Sequence, residues 1–131
     1  MYAAQAQWGA ALSRPEAVLE QPLIEVVGDE VGWVEWSQHA VATAVEIVPA
    51  LQLEASIIAY EPARTGGGTV LAHRSLVVKS LREQNLVRVP GPEMVTSEAF
   101  YLVTERRMSG AVRKFWHWLL EESAFLRQPK D

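Results

Sequence analysis

Residues 65–89, TGGGTVLAHRSLVVKSLREQNLVRV, read in succession as a glycine turn, a short apolar strand, a helix and a second strand. Three consecutive glycines, Gly66, Gly67 and Gly68, permit positive φ and close backbone approach. A helix-to-strand reversal beside a cleft requires both. Val70 and Leu71, inside 69–72 and preceded by turn signals, fit a buried parallel strand. A helix starts at Arg74–Ser75, where Val77 and Leu81 stand at i, i+4 and share one face. Gln84–Asn85 closes it, with Asn85 as the non-glycine residue that best tolerates a left-handed stop. The next strand opens at Leu86. Helix, glycine turn, strand, helix, strand is the unit from which α/β domains are built.

The flanking sequence extends the alternation. Upstream, Ser13 is the expected N-cap of a short helix, with Pro15 in its first turn and Glu16 completing a capping box. It ends by Gln21-Pro22, an apolar strand follows over 23–27, and Gly28-Asp29-Glu30 turns the chain. A helix over 32–43 presents Trp33, Trp36 and Val41 on one side; two Trp at i, i+3 suit an aromatic cage or packing on a sheet, and packing is the expected use. Residues 50–53 form a strand that Pro49 moves towards a sheet edge or a strand start. Beyond that strand Ser56 is a natural N-cap, Ile57, Ile58 and Tyr60 supply apolar bulk, and Pro62 should kink or shorten a helix there. Downstream, Pro90-Gly91-Pro92 is a stiff connector and 100–104 is a β-rich stretch. Ser109 then caps a last helix with the stripe Val112, Phe115, Trp116, Leu119 and Leu120. Residues 1–12 are weakly patterned around Trp8, and 124–131 read as a fraying tail.

At 131 residues the chain is one domain with room for a real core. Twelve Lys and Arg against sixteen Asp and Glu give a net charge of −4, which argues against a nucleic-acid surface. The absence of cysteine excludes disulfides, Cys-type zinc sites and thiol catalysis, and suits a cytoplasmic location. No apolar run approaches the length of a membrane span. The N-terminus lacks the basic start and apolar core of a signal peptide.

Catalytic and metal chemistry find no foothold. His39, His73 and His117 have no second His at i+3 or i+4, so no metal site and no cofactor are expected. There is no G-x-S-x-G, and the glycine run precedes neither a Gly-Lys-Ser/Thr nor a G-x-G-x-x-G pattern. What the pattern offers is binding. In open α/β sheets, ligands sit at the carboxyl ends of strands, beside helix starts that donate free N–H groups. Ser56 and the backbone after it make one such position, and Ala72-His73-Arg74 a neighbouring one. Arg74 there would favour a carboxylate-bearing metabolite, although an exposed helix-start charge fits equally. His73 is either a ligand contact or a polar strand-end residue.

The run G-x-G, V-L-A-H-R-S-L-V, polar helix, L-V-R-V resembles the effector-binding domain of LysR-type transcriptional regulators. The nearest branch is the one that holds the glycine-cleavage activator and the β-lactamase regulator. Residues 99–103 (AFYLV) resemble that branch's late strand and 112–122 its closing helix. Residues 19–36, LEQPLIEVVGDEVGWVEW, resemble its D-L-x-x-H-P-L-I … W-x-x-W segment, with Gln21 in place of His. Residues 54–64 resemble a helix of the family, in which Pro62 is a second departure, standing where the family has a small helix former. The resemblance implies a type-2 periplasmic-binding-protein-like α/β fold, with 10–90 as the second subdomain and 98–123 as the returning strand and helix of the first. In that family a winged helix-turn-helix, a linker helix and the first half of the domain precede this region, so the chain is expected to be either a piece of such a regulator or a short relative that lacks them. A small-molecule effector bound by Glu54, Ser56, His73 and Arg74 is also implied, Glu54 having helix capping as its other role. No catalysis and no direct DNA contact are expected. A homodimer in which the strand at 98–105 or the helix at 110–123, through Phe115, Trp116, Leu119 and Leu120, contacts the other subunit is the expected assembly, and a stand-alone interaction module or an enzyme are the other classes.

Overall fold

The computed structural model describes residues 2–6, 12–41, 45–97, 101–104 and 107–124; Trp8 and Phe100 lie outside them. Two compact units divide the chain, Met1–Glu98 and Ala99–Asp131.

The first unit is built on one five-stranded sheet of β1 (Tyr2–Ala6), β2 (Leu23–Val26), β3 (Leu51–Leu53), β4 (Thr69–Ala72) and β5 (Leu86–Arg88), in the order β3-β2-β4-β1-β5. β2 runs parallel to β3 and to β4, whereas β1 is antiparallel to both β4 and β5. β3 is an edge strand, as Pro49 indicates. β1 is the element that pattern reading misses: residues 2–6 belong to this unit, outside the 10–90 span. YAAQA has no alternation, yet Ala3, Ala4 and Ala6 are all buried, because small side chains let the layers on both faces approach.

Helices cover both faces. Towards one lie α3 (Ser56–Arg64) and α4 (Arg74–Arg82), whose Ala59, Tyr60, Ala63 and Val77 pack on Ala4, Ile24, Val26, Val70, Ala72 and Leu86. Towards the other lie α1 (Pro15–Leu19) and α2 (Trp33–Ala40), whose Val18, Trp33 and Trp36 pack on Ala3, Leu23, Leu71 and Val89. Trp33 and Trp36 are fully buried and meet edge to face with centroids 5.4 Å apart, so they are core and not a cage. The Trp33 indole N–H donates to Ile24 O at 2.9 Å, which satisfies its polar end inside the core.

Several local expectations shift by a residue or more. Arg14, not Ser13, is the N-cap of α1, since Pro15 takes the first helical position and no side chain caps it. Ala55 is the N-cap of α3, and Ser56 is its first helical residue. Ile57 and Ile58 are exposed, because Ala59, Tyr60 and Ala63 form the sheet-facing side. α3 runs two residues past Pro62, so the proline does not end it there. α4 closes through Gln84, which takes the positive φ of 57° in place of Asn85. Gln84 N–H donates to Leu81 O and Asn85 N–H to Ser80 O, the two bonds of a Schellman stop.

Glycine is needed where α3 returns to the sheet. Gly66 and Gly68 have φ of 86° and 150°, and a Cβ on Gly68 would run into the Pro22 carbonyl. That carbonyl accepts the N–H of Thr69 at 2.8 Å, so the approach also aligns β4 beside β2.

In the second unit, α5 (Gly110–Glu122) starts at Ser109, whose hydroxyl accepts the Val112 N–H at 3.3 Å. Residues 101–104 have no regular structure, which overturns the expected strand there. A strand exists through its ladder, and among the described residues of this unit there is no second strand to supply one. α5 has no buried residue; Val112, Phe115 and Trp118 are its most exposed apolar groups, while Trp116, Leu119 and Leu120 are half-buried. Phe115 and Trp118 stack at 5.6 Å.

Candidate functional site

Registration of the parallel strands creates one rim. Val26 is level with Leu53, and Ile24 with Val70, so β2, β3 and β4 all end at the same height. The residues that follow each strand therefore gather there: 27–30 after β2, 54–56 after β3, and 73–74 after β4. α3 and α4 both begin on this rim with no side-chain cap, leaving first-turn N–H groups for solvent or a ligand.

Each expected contact has its place on the rim. Glu54 and Arg74 are exposed, and Ser56 is half-buried at the first position of α3. His73 is the N-cap of α4, and its Nε2 lies 3.7 Å from Asp29 Oδ2, both side chains largely shielded. The buried Tyr60 hydroxyl accepts the His73 backbone N–H at 3.2 Å, which ties α3 to the end of β4. Asp29 and Tyr60 also stand at this rim, where pattern reading gives only a turn and apolar bulk. For Asp29 a signal existed, because a polar residue just beyond a parallel strand end sits where such folds bind ligands.

A carboxylate group lies behind this rim. Glu25 Oε2 accepts the Trp33 N–H at 3.4 Å, and Glu35 Oε2 accepts the Gly32 N–H at 3.0 Å at the start of α2. Burial pushes the Glu25 pKa above its ordinary 4.5; the Trp33 N–H pulls it back, and the charges of Glu35 and Asp29 push it further up. The folded chain thus holds this proton more tightly than the unfolded one. Stability from Glu25 is complete below about pH 4.5 and falls as pH rises through the raised value. Glu25→Gln retains an acceptor and removes the charge. It is expected to melt above the parent at neutral pH, the difference vanishing near pH 4.5. Thermal melts of both chains across pH check this, and a lower melting temperature at neutral pH contradicts it.

Among the described residues no group of three or more His, Cys, Asp or Glu is placed to hold a metal ion. No helix among them is long and apolar enough to cross a membrane.

Parallel strands ending on one rim, helices on both faces and an antiparallel strand folded into the sheet define an α/β, periplasmic-binding-protein-like subdomain of the second type. The effector domain of the transcriptional regulator AmpR of Pseudomonas aeruginosa is similar, with a TM-score of 0.65 and 22% sequence identity over 95% of this chain. The match covers 61% of that domain, so this chain spans less than two thirds of its length. At that identity the likeness establishes the fold. No family model and no curated protein matches the chain.

Proposed function

We propose that this chain is the effector-sensing part of a LysR-type transcription regulator, of the branch that holds the glycine-cleavage activator and the β-lactamase regulator. The rim carries the proposal: three parallel strands end at one height beside two uncapped helix starts, in a fold shared with a transcriptional regulator's effector domain. The ligand is a small carboxylate-bearing molecule. Free N–H groups of α3 and α4 and the Arg74 guanidinium would meet its anion, Ser56 would add a hydroxyl, and Glu54 and His73 would border it. The chemistry is recognition without turnover, and DNA binding is left to another domain.

The test is a thermal-shift panel of small carboxylic acids, followed by calorimetry on any that stabilise the chain. Ser56→Ala and Arg74→Ala are each expected to weaken that binding by roughly 1–3 kcal/mol while leaving the melting temperature of the free chain within a few degrees. Unchanged affinity in both variants removes the rim as the site.

Exposure along α5 favours self-association as well. Val112, Phe115 and Trp118 present a connected apolar surface with no buried residue on the helix, more than a solitary helix gains by leaving in water. We take the oligomer to be a homodimer through 110–123, with Trp118 joining Phe115, Trp116, Leu119 and Leu120. Light scattering at tens of micromolar is expected to give twice the chain mass, and Trp118→Asp to halve it; a monomer in the parent chain refutes the dimer. If no acid binds and a different protein co-purifies through α5, the chain is an interaction module on the same fold.

A further inference from the structure

The loop between β2 and α2 faces two ways. At its start, Val27 donates its N–H to Leu53 O at 2.8 Å, which holds it against the end of β3. Gly28, with φ of 96°, reverses the chain. Asp29 then points to the rim, with Oδ2 3.7 Å from His73 Nε2. Its neighbour Glu30 reaches elsewhere: Oε2 accepts both the N–H and the hydroxyl of Ser97, at 2.8 Å each. Val31 is buried beside the Trp pair, so the far end of the loop is fixed.

Ser97 ends a strap across the same face of the sheet. Val89 donates to Ala3 O at 3.1 Å, the Trp36 indole donates to Pro92 O at 3.2 Å, and Met94 packs against the Trp cluster. The second compact unit begins two residues later, at Ala99. Glu30 therefore grips the place where the chain leaves the first unit.

We propose that residues 28–30 are a coupling element: Asp29 registers which partner His73 engages, and Glu30 passes the displacement to Ser97. Consecutive Cα atoms are about 3.8 Å apart on a trans backbone, so a shift at Asp29 carries Glu30 with it, and Gly28 supplies the rotation. A carboxylate that draws His73 from Asp29 distinguishes the two loop positions, which is what a ligand needs to shift an equilibrium. The inference takes His73 as ligand-facing from the functional reading above, but its test uses no effector, so either can fail without the other.

The experiment follows the Ser97 amide of the whole ¹⁵N-labelled chain. Glu30→Ala defines the released position of that signal and its exchange rate. Asp29→Asn and His73→Gln are each expected to move the signal towards the released position and to speed exchange by about five-fold, the lower end of coupling between linked sites. Linkage is reciprocal, so Ser97→Ala is expected to shift the His73 ring signals. Lys79→Ala, in an exposed ion pair on α4, is the reference and leaves both unchanged. The coupling is overturned if Ser97 keeps its parental signal and rate in both rim variants, if the His73 ring ignores Ser97→Ala, or if Lys79→Ala gives the same response.

Discussion

Gly91→Ala is expected to lower the melting temperature by on the order of 10–20 °C. Gly91 has φ of 136°, a conformation that side chains rarely adopt, and a Cβ there would lie closer than 3.0 Å to the Trp36 ring. The backbone strain costs about 1–3 kcal/mol and the displacement of a buried ring a similar amount. Relief by moving Trp36 is costly in turn, because its indole N–H is bonded to Pro92 O and its ring packs on Trp33. At roughly 4–8 °C per kcal/mol for a unit of this size, the lower part of that sum, about 2–3 kcal/mol after local relaxation, gives the stated range. Gly110→Ala is the comparison: nothing lies within 4 Å of its Cβ, and it opens α5. That change should leave stability equal or slightly raised. A melting temperature for Gly91→Ala within a few degrees of the parent would show that the strap is not held as described.

Trp33→Ala is expected to be at least as damaging, by about 4–6 kcal/mol. Emptying a fully buried Trp site costs roughly 3–5 kcal/mol, and the indole hydrogen bond to the Ile24 carbonyl is lost, worth about 1 kcal/mol net because that carbonyl keeps its place in the parallel ladder with β4. Trp33→Phe separates the contributions. It keeps most of the ring volume but leaves a smaller cavity and loses the indole hydrogen bond, so about 2–3 kcal/mol is expected. Urea titrations read both; a fall in midpoint for Trp33→Phe as large as that for Trp33→Ala would mean that packing contributes little.

The sequence is legible where local chemistry decides the outcome. Gly66–Gly68, the apolar 69–72 and the i, i+4 pair Val77 and Leu81 each demand one conformation, and β4, α4 and β5 follow. Caps drift by one residue because two neighbours compete for the role: Pro15 occupies the first turn and pushes the cap of α1 to Arg14. Gln84 in place of Asn85 has the same origin, since the Schellman bonds choose the position and tolerance alone does not. β1 was illegible for a different reason. Ala3, Ala4 and Ala6 carry no periodic signal, and their strand is specified by partners on both sides. The rim could be placed from the rule for parallel strand ends. The same rule reaches Asp29, but its approach to His73, and Tyr60 beneath it, could not be placed, because both contacts join residues separated in sequence. On α5 two members of the apolar stripe, Val112 and Phe115, are exposed together with Trp118, which lies outside it, whereas Trp116, Leu119 and Leu120 are half-buried.

The position of β1 also sets an order of events in folding. β5 joins the sheet through β1, and β1 pairs with residues 70–72 and 86–88. β1, made before the other strands of this unit, must therefore wait until almost the whole unit has been made. Strands β2, β3 and β4 can assemble meanwhile from nearer neighbours with α2 and α3 against them. Closing so long a loop is slow relative to local pairing. Until it closes, one side of β4 is an open ladder, which is the form in which an alanine-lined sheet is most exposed to pairing with another chain.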